Sequence, residues 1–300
     1  MIHPNFKEYL PSYYFSTINP HAAYPKLEGR LKTETCVIGG GLTGLCTALP
    51  LAENGREVTV LEAARIGFGA SGRSGGQVIS DYACGMEEIE KQVGLEQARW
   101  FWQQSLQAVE LVDERVKKHQ IACDWQRGYA TVAIRPQHWE ELQQWHEHAR
   151  QHYGATHYQL WDKATLKQQL ASDMYLGAQF DPHSGHLHPL NYTLGIARVA
   201  AEAGAQIFEQ SPMTRIEPYQ GGWLVHTPDG SIECQNLVYA VNTYAGLHQK
   251  FKPLEKKAIA VSTFIIATEP LGERAKELIR NNMAVCDNRH VLDYYRLSAD

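Results

Sequence analysis

Three glycines and one acid constrain this chain more than any other feature. A short apolar run at 35–38 leads directly into Gly39-x-Gly41-x-x-Gly44, and a second apolar run at 58–61 ends at Glu62. The spacing predicts a strand at 35–38, a helix at 42–54 stopped by Gly55, and a parallel strand at 58–61. In such a βαβ unit Gly39 permits the tight turn. Gly41 lets the backbone approach a pyrophosphate, and Gly44 lets the helix pack closely on the strand. The helix N-terminus offers unpaired N–H groups and a partial positive charge to phosphates. Glu62 is placed to accept hydrogen bonds from ribose hydroxyls. The chain is therefore expected to bind a dinucleotide.

The residues after Glu62 narrow the choice. Positions 66–77, IGFGASGRSGGQ, are rich in glycine and small polar residues. A nicotinamide-binding unit does not need such a loop, whereas in a flavoprotein it can wrap the pyrophosphate and reach the flavin. Here the chain resembles the D-amino-acid-oxidase-like (DAO) flavoenzymes, which include glycine and sarcosine oxidases. The matching segments are SYYFSTINP (12–20), CVIGGGLTGL (36–45), LEAARIGFGASGRSGGQ (61–77), SGHLHPLN (184–191) and LDYYRLSAD (292–300).

The resemblance implies an α/β architecture: a Rossmann-like FAD/NAD(P)-binding domain combined with a discontinuous α+β substrate domain. The expected division is an N-terminal arm at 1–30, a cofactor domain at 31–85 and 186–247, and a substrate domain at 86–185 and 248–300. It implies FAD, held by Gly39, Gly41, Gly44, Glu62, Ala63, Ala70, Ser71, Ser74, Gly76 and Gln77. Met213 is expected on the adenine side through its backbone, and Ala240 near the same moiety. Tyr294 matches the tyrosine that family members place over the flavin, with Tyr295 and Arg296 as neighbours. Strand alternation allows only one of the two tyrosines to face a site, and the plain alternative of ordinary sheet aromatics stays open. Three positions depart from the family pattern: Pro50 inside the first helix, Ser74 for an asparagine, and Asn242 for a glycine. A kink or early fraying is expected at Pro50. Asn242 is the best non-glycine choice at positive φ.

The implied reaction is FAD-dependent oxidation of an aliphatic primary amine, foremost γ-glutamylputrescine. It moves a hydride to the flavin and gives an aldehyde, ammonia and hydrogen peroxide. Two alternatives remain: a flavin oxidase or dehydrogenase of an amino or N-methyl amino acid, and a truncated, non-catalytic polypeptide. Family members continue well beyond the point where this sequence stops, so it is expected to be the first part of a longer protein.

Composition excludes other classes. Three hundred residues with 44% hydrophobic content can form one large domain or two ordinary ones. Net charge is −5 with dispersed Lys and Arg, which argues against a nucleic-acid surface. Six cysteines without a CxxC pair read as reduced thiols of a cytoplasmic protein. The N-terminus has no apolar signal-peptide core. The uncharged stretch 36–52 carries four glycines and Pro50, so a strand–turn–helix explains it better than a membrane span. The expected partners are a small-molecule amine and O2, with no nucleic acid or membrane.

Farther along, helical spacing covers 86–120 with a break at Gly94, then 137–154, 163–170 and 189–203. Strands are expected at 128–134, 205–209, 222–226, 231–233, 236–241, 258–268 and 290–297, with a short helix at 273–281. Pro228-Asp229-Gly230 marks a hairpin turn. His138, His146, His148, His152 and His157 read as a solvated helix face, and 183–188 as a crossover between domains. No metal is expected at either cluster.

Overall fold

The protein is described from a computed structural model, which covers residues 8–247, 257, 259, 261 and 263–299. The chain divides into two units. The first comprises Met1–Ser74, Ile121–Cys123 and Pro189–Ile266; the second comprises Gly75–Gln120, Asp124–His188 and Ala267–Asp300.

The first unit is built on a six-stranded sheet in the order β7-β2-β1-β10-β9-β8. Its strands are β1 (Gly29–Ile38), β2 (Val58–Leu61), β7 (Gln206–Phe208), β8 (Arg215–Tyr219), β9 (Gly222–His226) and β10 (Gly230–Tyr239). The pairs β7–β2, β2–β1 and β1–β10 are parallel, and β9 and β8 add on antiparallel. Every residue of β2 is buried, as a parallel strand covered on both faces requires. Cys36 and Ile38 join Leu61, Val225 and Ile232 in one core layer. Helix α2 (Leu42–Glu53) buries Gly44, Leu45, Ala48, Leu49 and Ala52, and packs with α7 (Pro189–Glu202). Leu45 is fully buried, so its truncation to alanine costs about 2–5 kcal/mol.

Several expected bounds are corrected here. β1 begins at Gly29 because its first half pairs with β10 across Gly29↔Gly230 to Thr33↔Cys234. The two short strands expected at 231–233 and 236–241 are one strand, β10. Helix α2 runs through Pro50 to Glu53 without early fraying, and Asn54 N donates to Pro50 O at 3.1 Å. The N-terminal segment contains a short helix, α1 (Tyr13–Ser16), capped by the Ser12 hydroxyl.

The second unit holds a sheet in the order β12-β11-β4-β6-β3, with β5 also paired to β6. The strands are β3 (Gln77–Val78), β4 (Gln126–Ala133), β5 (Gln159–Asp162), β6 (Gly177–His186), β11 (Ala284–Asp287) and β12 (Tyr294–Tyr295). Its helices are α3 (Met86–Val93), α4 (Leu95–Lys118), α5 (Pro136–His148), α6 (Lys163–Gln169) and α8 (Arg274–Leu278). Gly94 separates α3 from α4 at φ 80°. Residues 75–85 fall in this unit, where β3 pairs antiparallel with His186 and Gly185 of β6.

The stretch read as a crossover, 183–188, starts as the end of β6, a central strand, and leads to the change of unit between His188 and Pro189. Its histidines and the turn-forming Pro182 masked that strand. The apolar stretch 258–268 lies partly outside the described residues. At its described positions there is no strand, and Ile259, Val261, Phe264 and Ile266 are 80–90% exposed. The segment 290–297 contains only the two-residue β12. The residues before it form a bend instead, in which Arg289 N donates to Asp287 Oδ1 at 2.9 Å and Asp287 N to Asp293 O at 3.0 Å.

Candidate functional site

In the first unit the glycine-rich turn is assembled from β1, β2, β10 and α2. Gly39 N donates to Leu61 O at 2.8 Å, and Ala240 N donates to Ile38 O at 2.8 Å. Gly39 has φ +111°, and a side chain there would collide with the Ala240 carbonyl. Gly44 presses on the Gly39 carbonyl so closely that no Cβ fits. The turn therefore brings bare backbone to the N-terminus of α2, where the first-turn N–H groups have no carbonyl within the helix. One of them, Leu42 N, donates to Ser71 Oγ at 3.0 Å. A Cβ on Gly41 would stand 2.8 Å from the same hydroxyl.

Glu62 ends β2 beneath this turn. Its carboxylate accepts from Gly40 N at 2.7 Å and from Ala64 N at 2.9 Å. Burial pushes its pKa up, against the pull of the Ala64, Gly40 and Ala63 backbone N–H groups; the Glu209 charge adds to the rise. Each carboxylate oxygen keeps a further lone pair for a hydroxyl donor.

The loop that follows folds back over the turn. Gly67 N donates to Gly40 O at 3.0 Å, and a 3-10 turn at Ala70–Gly72 presents Ser71 to α2. Ala63, Ala70 and Ser74 are exposed on this loop. Ser211 N donates to Glu62 O at 2.9 Å, and Met213, two residues after Ser211, packs against the core layer that contains Leu61. Asn242 adopts φ +51° and opens the 3-10 turn Asn242–Leu247, with Ala240 and Val241 between it and the end of β10.

The first unit thus gathers Gly39, Gly41, Gly44, Glu62, Ala63, Ala70, Ser71, Ser74, Met213 and Ala240. Three features among them fit a dinucleotide: a cradle too tight for side chains, a helix N-terminus with open N–H groups, and a carboxylate with spare acceptor capacity.

Gly76, Gln77 and Tyr294 belong to the second unit. Gly76 O accepts from Leu187 N at 2.8 Å, and Gln77 pairs with His186 across the β3–β6 ladder. Tyr294 lies against Gly75 and packs with Tyr129, Ala284 and Cys286 on one face of the sheet. Tyr295 points to the opposite face, where its hydroxyl meets that of Tyr175 at 2.9 Å. The alternation expected from the sequence is therefore present, with Tyr294 and Tyr295 on different faces. Arg296 Nε donates to Gly75 O at 2.9 Å.

The sequence reading missed Glu209 and Arg65. Glu209 is 2% exposed. It accepts from Ile66 N at 2.8 Å, Arg65 Nη1 at 2.9 Å and Tyr24 N at 3.2 Å. The signal was present: like Glu62, Glu209 is an acid directly after an apolar strand of the same parallel sheet.

A family model described as "FAD dependent oxidoreductase" (DAO) matches residues 34–300. The chain belongs to this family. Its cofactor is accordingly FAD, and the fold is the DAO type with mixed α/β sheets. "Probable oxidoreductase OrdL" of Haemophilus influenzae is 45% identical over 100% of this chain and 70% of its own length. The Escherichia coli gamma-glutamylputrescine oxidoreductase is 38% identical over 98% of this chain and 68% of its own.

Among solved structures, L-proline dehydrogenase from P. horikoshii superposes with a TM-score of 0.67 at 21% identity, covering 91% of this chain and 68% of that one. Glycine oxidase from Geobacillus kaustophilus gives 0.59 at 20% identity, covering 72% and 57%. These two likenesses concern the fold. The chain spans about two-thirds of the length of these two curated relatives, 68% of the proline dehydrogenase and 57% of the glycine oxidase. Among the described residues no helix is long and apolar enough to cross a membrane.

Proposed function

We propose that the protein is an FAD-dependent oxidase of an aliphatic primary amine, with γ-glutamylputrescine as the foremost substrate. The observation that carries this reading is the 38% identity, over nearly the whole chain, to a relative named for that substrate. Overall, the amine, O2 and water become an aldehyde, ammonia and hydrogen peroxide. Bound FAD supplies the acceptor for the hydride that leaves the carbon next to nitrogen.

The protein's part is binding and orientation. The α2 N-terminus, Gly39, Gly41 and Gly44 take the pyrophosphate, and Glu62 takes the ribose hydroxyls of the adenosine. Ala63, Ala70, Ser71, Ser74, Met213 and Ala240 complete the nucleotide side. In the second unit Gly76 and Gln77 contact the cofactor, and Tyr294 orients the substrate. The amine must be neutral to release hydride, so an apolar surround that disfavours its cation assists the reaction. No acid–base triad is needed.

The test is a panel of amines and amino acids with peroxide detection, run on protein whose visible spectrum shows bound flavin. Turnover of γ-glutamylputrescine well above glycine, sarcosine and dimethylglycine supports the reading. Preference for an amino or N-methyl amino acid replaces it with that alternative. Absence of turnover despite bound flavin removes both.

A further inference from the structure

The N-terminal segment makes a set of bonds that the cofactor cradle does not by itself require. Tyr9 Oη donates to Ile66 O at 2.7 Å. Arg65 reaches the Glu8 carboxylate with two nitrogens, at 2.7 and 3.1 Å, and Gln210 Nε2 reaches it at 3.2 Å. Leu27 N donates to Ser211 Oγ at 2.9 Å, and Glu209 N donates to Pro25 O at 3.0 Å. Tyr9, Leu10, Ser12 and Phe15 also wall a small cavity with Gly67 and Phe68 of the loop. Burial and the Glu209 charge push the Tyr9 hydroxyl well above its ordinary range, so it stays a donor.

These bonds converge on Arg65, Ile66 and Glu209. Ile66 is the first residue of the loop to press on the pyrophosphate turn. A Cβ on Gly40 would stand 2.5 Å from Ile66 Cδ1, and the next residue bonds Gly40 O. Five residues later the same loop puts Ser71 Oγ on Leu42 N. Glu209 is a buried carboxylate whose partners are one arm N–H, one loop N–H and one loop guanidinium. Loss of either N–H leaves a buried carboxylate oxygen short of a donor, and loss of Arg65 leaves the carboxylate's charge uncompensated. The three segments therefore stand or fall together.

We propose that the arm at residues 8–27 is part of the cofactor-binding machinery, and that Glu209 is the positioning residue through which it acts. Arm docking fixes Ile66 and Gly67, the loop fixes Ser71, and Ser71 sets the N-terminus of α2 that receives the pyrophosphate. Neither Tyr9 nor Glu209 touches the cofactor. Because docking of the arm and binding of the cofactor favour one conformation of the loop, each strengthens the other by the same factor. The inference rests on the assignment of the α2 N-terminus as the pyrophosphate site.

The test is FAD titration of the apoprotein, read by quenching of flavin fluorescence, with hydrogen exchange of residues 8–27 measured with and without FAD. Tyr9→Phe and Glu8→Gln keep the shape of the arm and remove one anchor each. Each is expected to weaken FAD binding about three- to tenfold, the range for one hydrogen bond. Glu209→Gln should weaken it more, and FAD should slow exchange of the wild-type arm. A purely structural arm would lower the melting temperature of the apoprotein and leave FAD affinity alone. Wild-type affinity in Tyr9→Phe and Glu8→Gln, with arm exchange indifferent to FAD, overturns the proposal even if Glu209→Gln fails to fold. A wild-type apoprotein that binds no FAD overturns the pyrophosphate assignment and this proposal with it.

Discussion

The ring of Tyr294 rests on Gly75: a Cβ added to the glycine would stand 2.7 Å from Tyr294 Cε2 and 3.2 Å from Cδ2. The contact pairs the glycine-rich loop with the aromatic segment at residues 292–297, two of the segments that resemble flavoenzyme relatives. Arg296 fastens it through Gly75 O.

Gly75→Ala must therefore tilt the Tyr294 ring. The clash is with the far end of a flexible side chain, so the fold should survive. If Tyr294 orients the substrate, kcat/KM for the amine should fall about tenfold, roughly 1.4 kcal/mol of transition-state stabilisation. Tyr294→Phe should show a similar loss with an unchanged flavin spectrum. Wild-type kcat/KM in both variants would make Tyr294 an ordinary sheet aromatic.

Glu62 should show opposite effects on stability and binding. Its folded pKa is raised, so the folded apoprotein holds the proton more tightly than the unfolded chain. That contribution is present below about pH 4.5 and is lost as pH rises through the folded pKa. At neutral pH the ionised group is a strain on the empty fold. Glu62→Gln should then melt at an equal or higher temperature without FAD, yet bind FAD more weakly by about 1–3 kcal/mol. Equal FAD affinity in the two proteins would show that the acid is not a ligand.

His186 predicts an acid-sensitive second unit. It is 2% exposed, its Nε2 lies 2.8 Å from Asn282 O, and burial pulls its pKa down to about 4. Between about pH 6.5 and pH 4 the unfolded chain takes up a proton that the folded chain refuses. Stability therefore falls as pH drops through that window, by on the order of 3 kcal/mol in all. Denaturant unfolding of wild type and His186→Gln from pH 7.5 to 4 checks this. The wild-type slope should be steeper, and parallel curves would contradict the assignment.

Pro50 gives no N–H to the ladder of α2, although the helix continues to Glu53. Pro50→Ala restores one donor and should raise stability by about 1–3 kcal/mol without changing the flavin spectrum. A lower melting temperature would mean that the neighbours are packed around the proline.

The first unit was more legible in the sequence than the second. Parallel strands buried on both faces read as unbroken apolar runs, and turn glycines have no substitute, so 36–62 announced itself. Asn242 at φ +51° was readable for the same reason. β6 was not, because Asp181, Pro182 and two histidines interrupt its pattern while its buried polar face is satisfied internally: Asp181 accepts from Ser80 Oγ at 3.1 Å and from His183 N at 2.8 Å. Glu209 showed its place at a strand end but not its role. Its partners lie 143 to 185 residues away in the chain, and no local spacing reports them.

The most direct test of the central claim is anaerobic mixing of the FAD-loaded protein, expressed from its native gene, with γ-glutamylputrescine, followed at the flavin absorbance. The account predicts rapid bleaching to the reduced form, slower or no bleaching with glycine and sarcosine, and one hydrogen peroxide per flavin when air is readmitted. A flavin that stays oxidised with the amine but bleaches with an amino acid would contradict it.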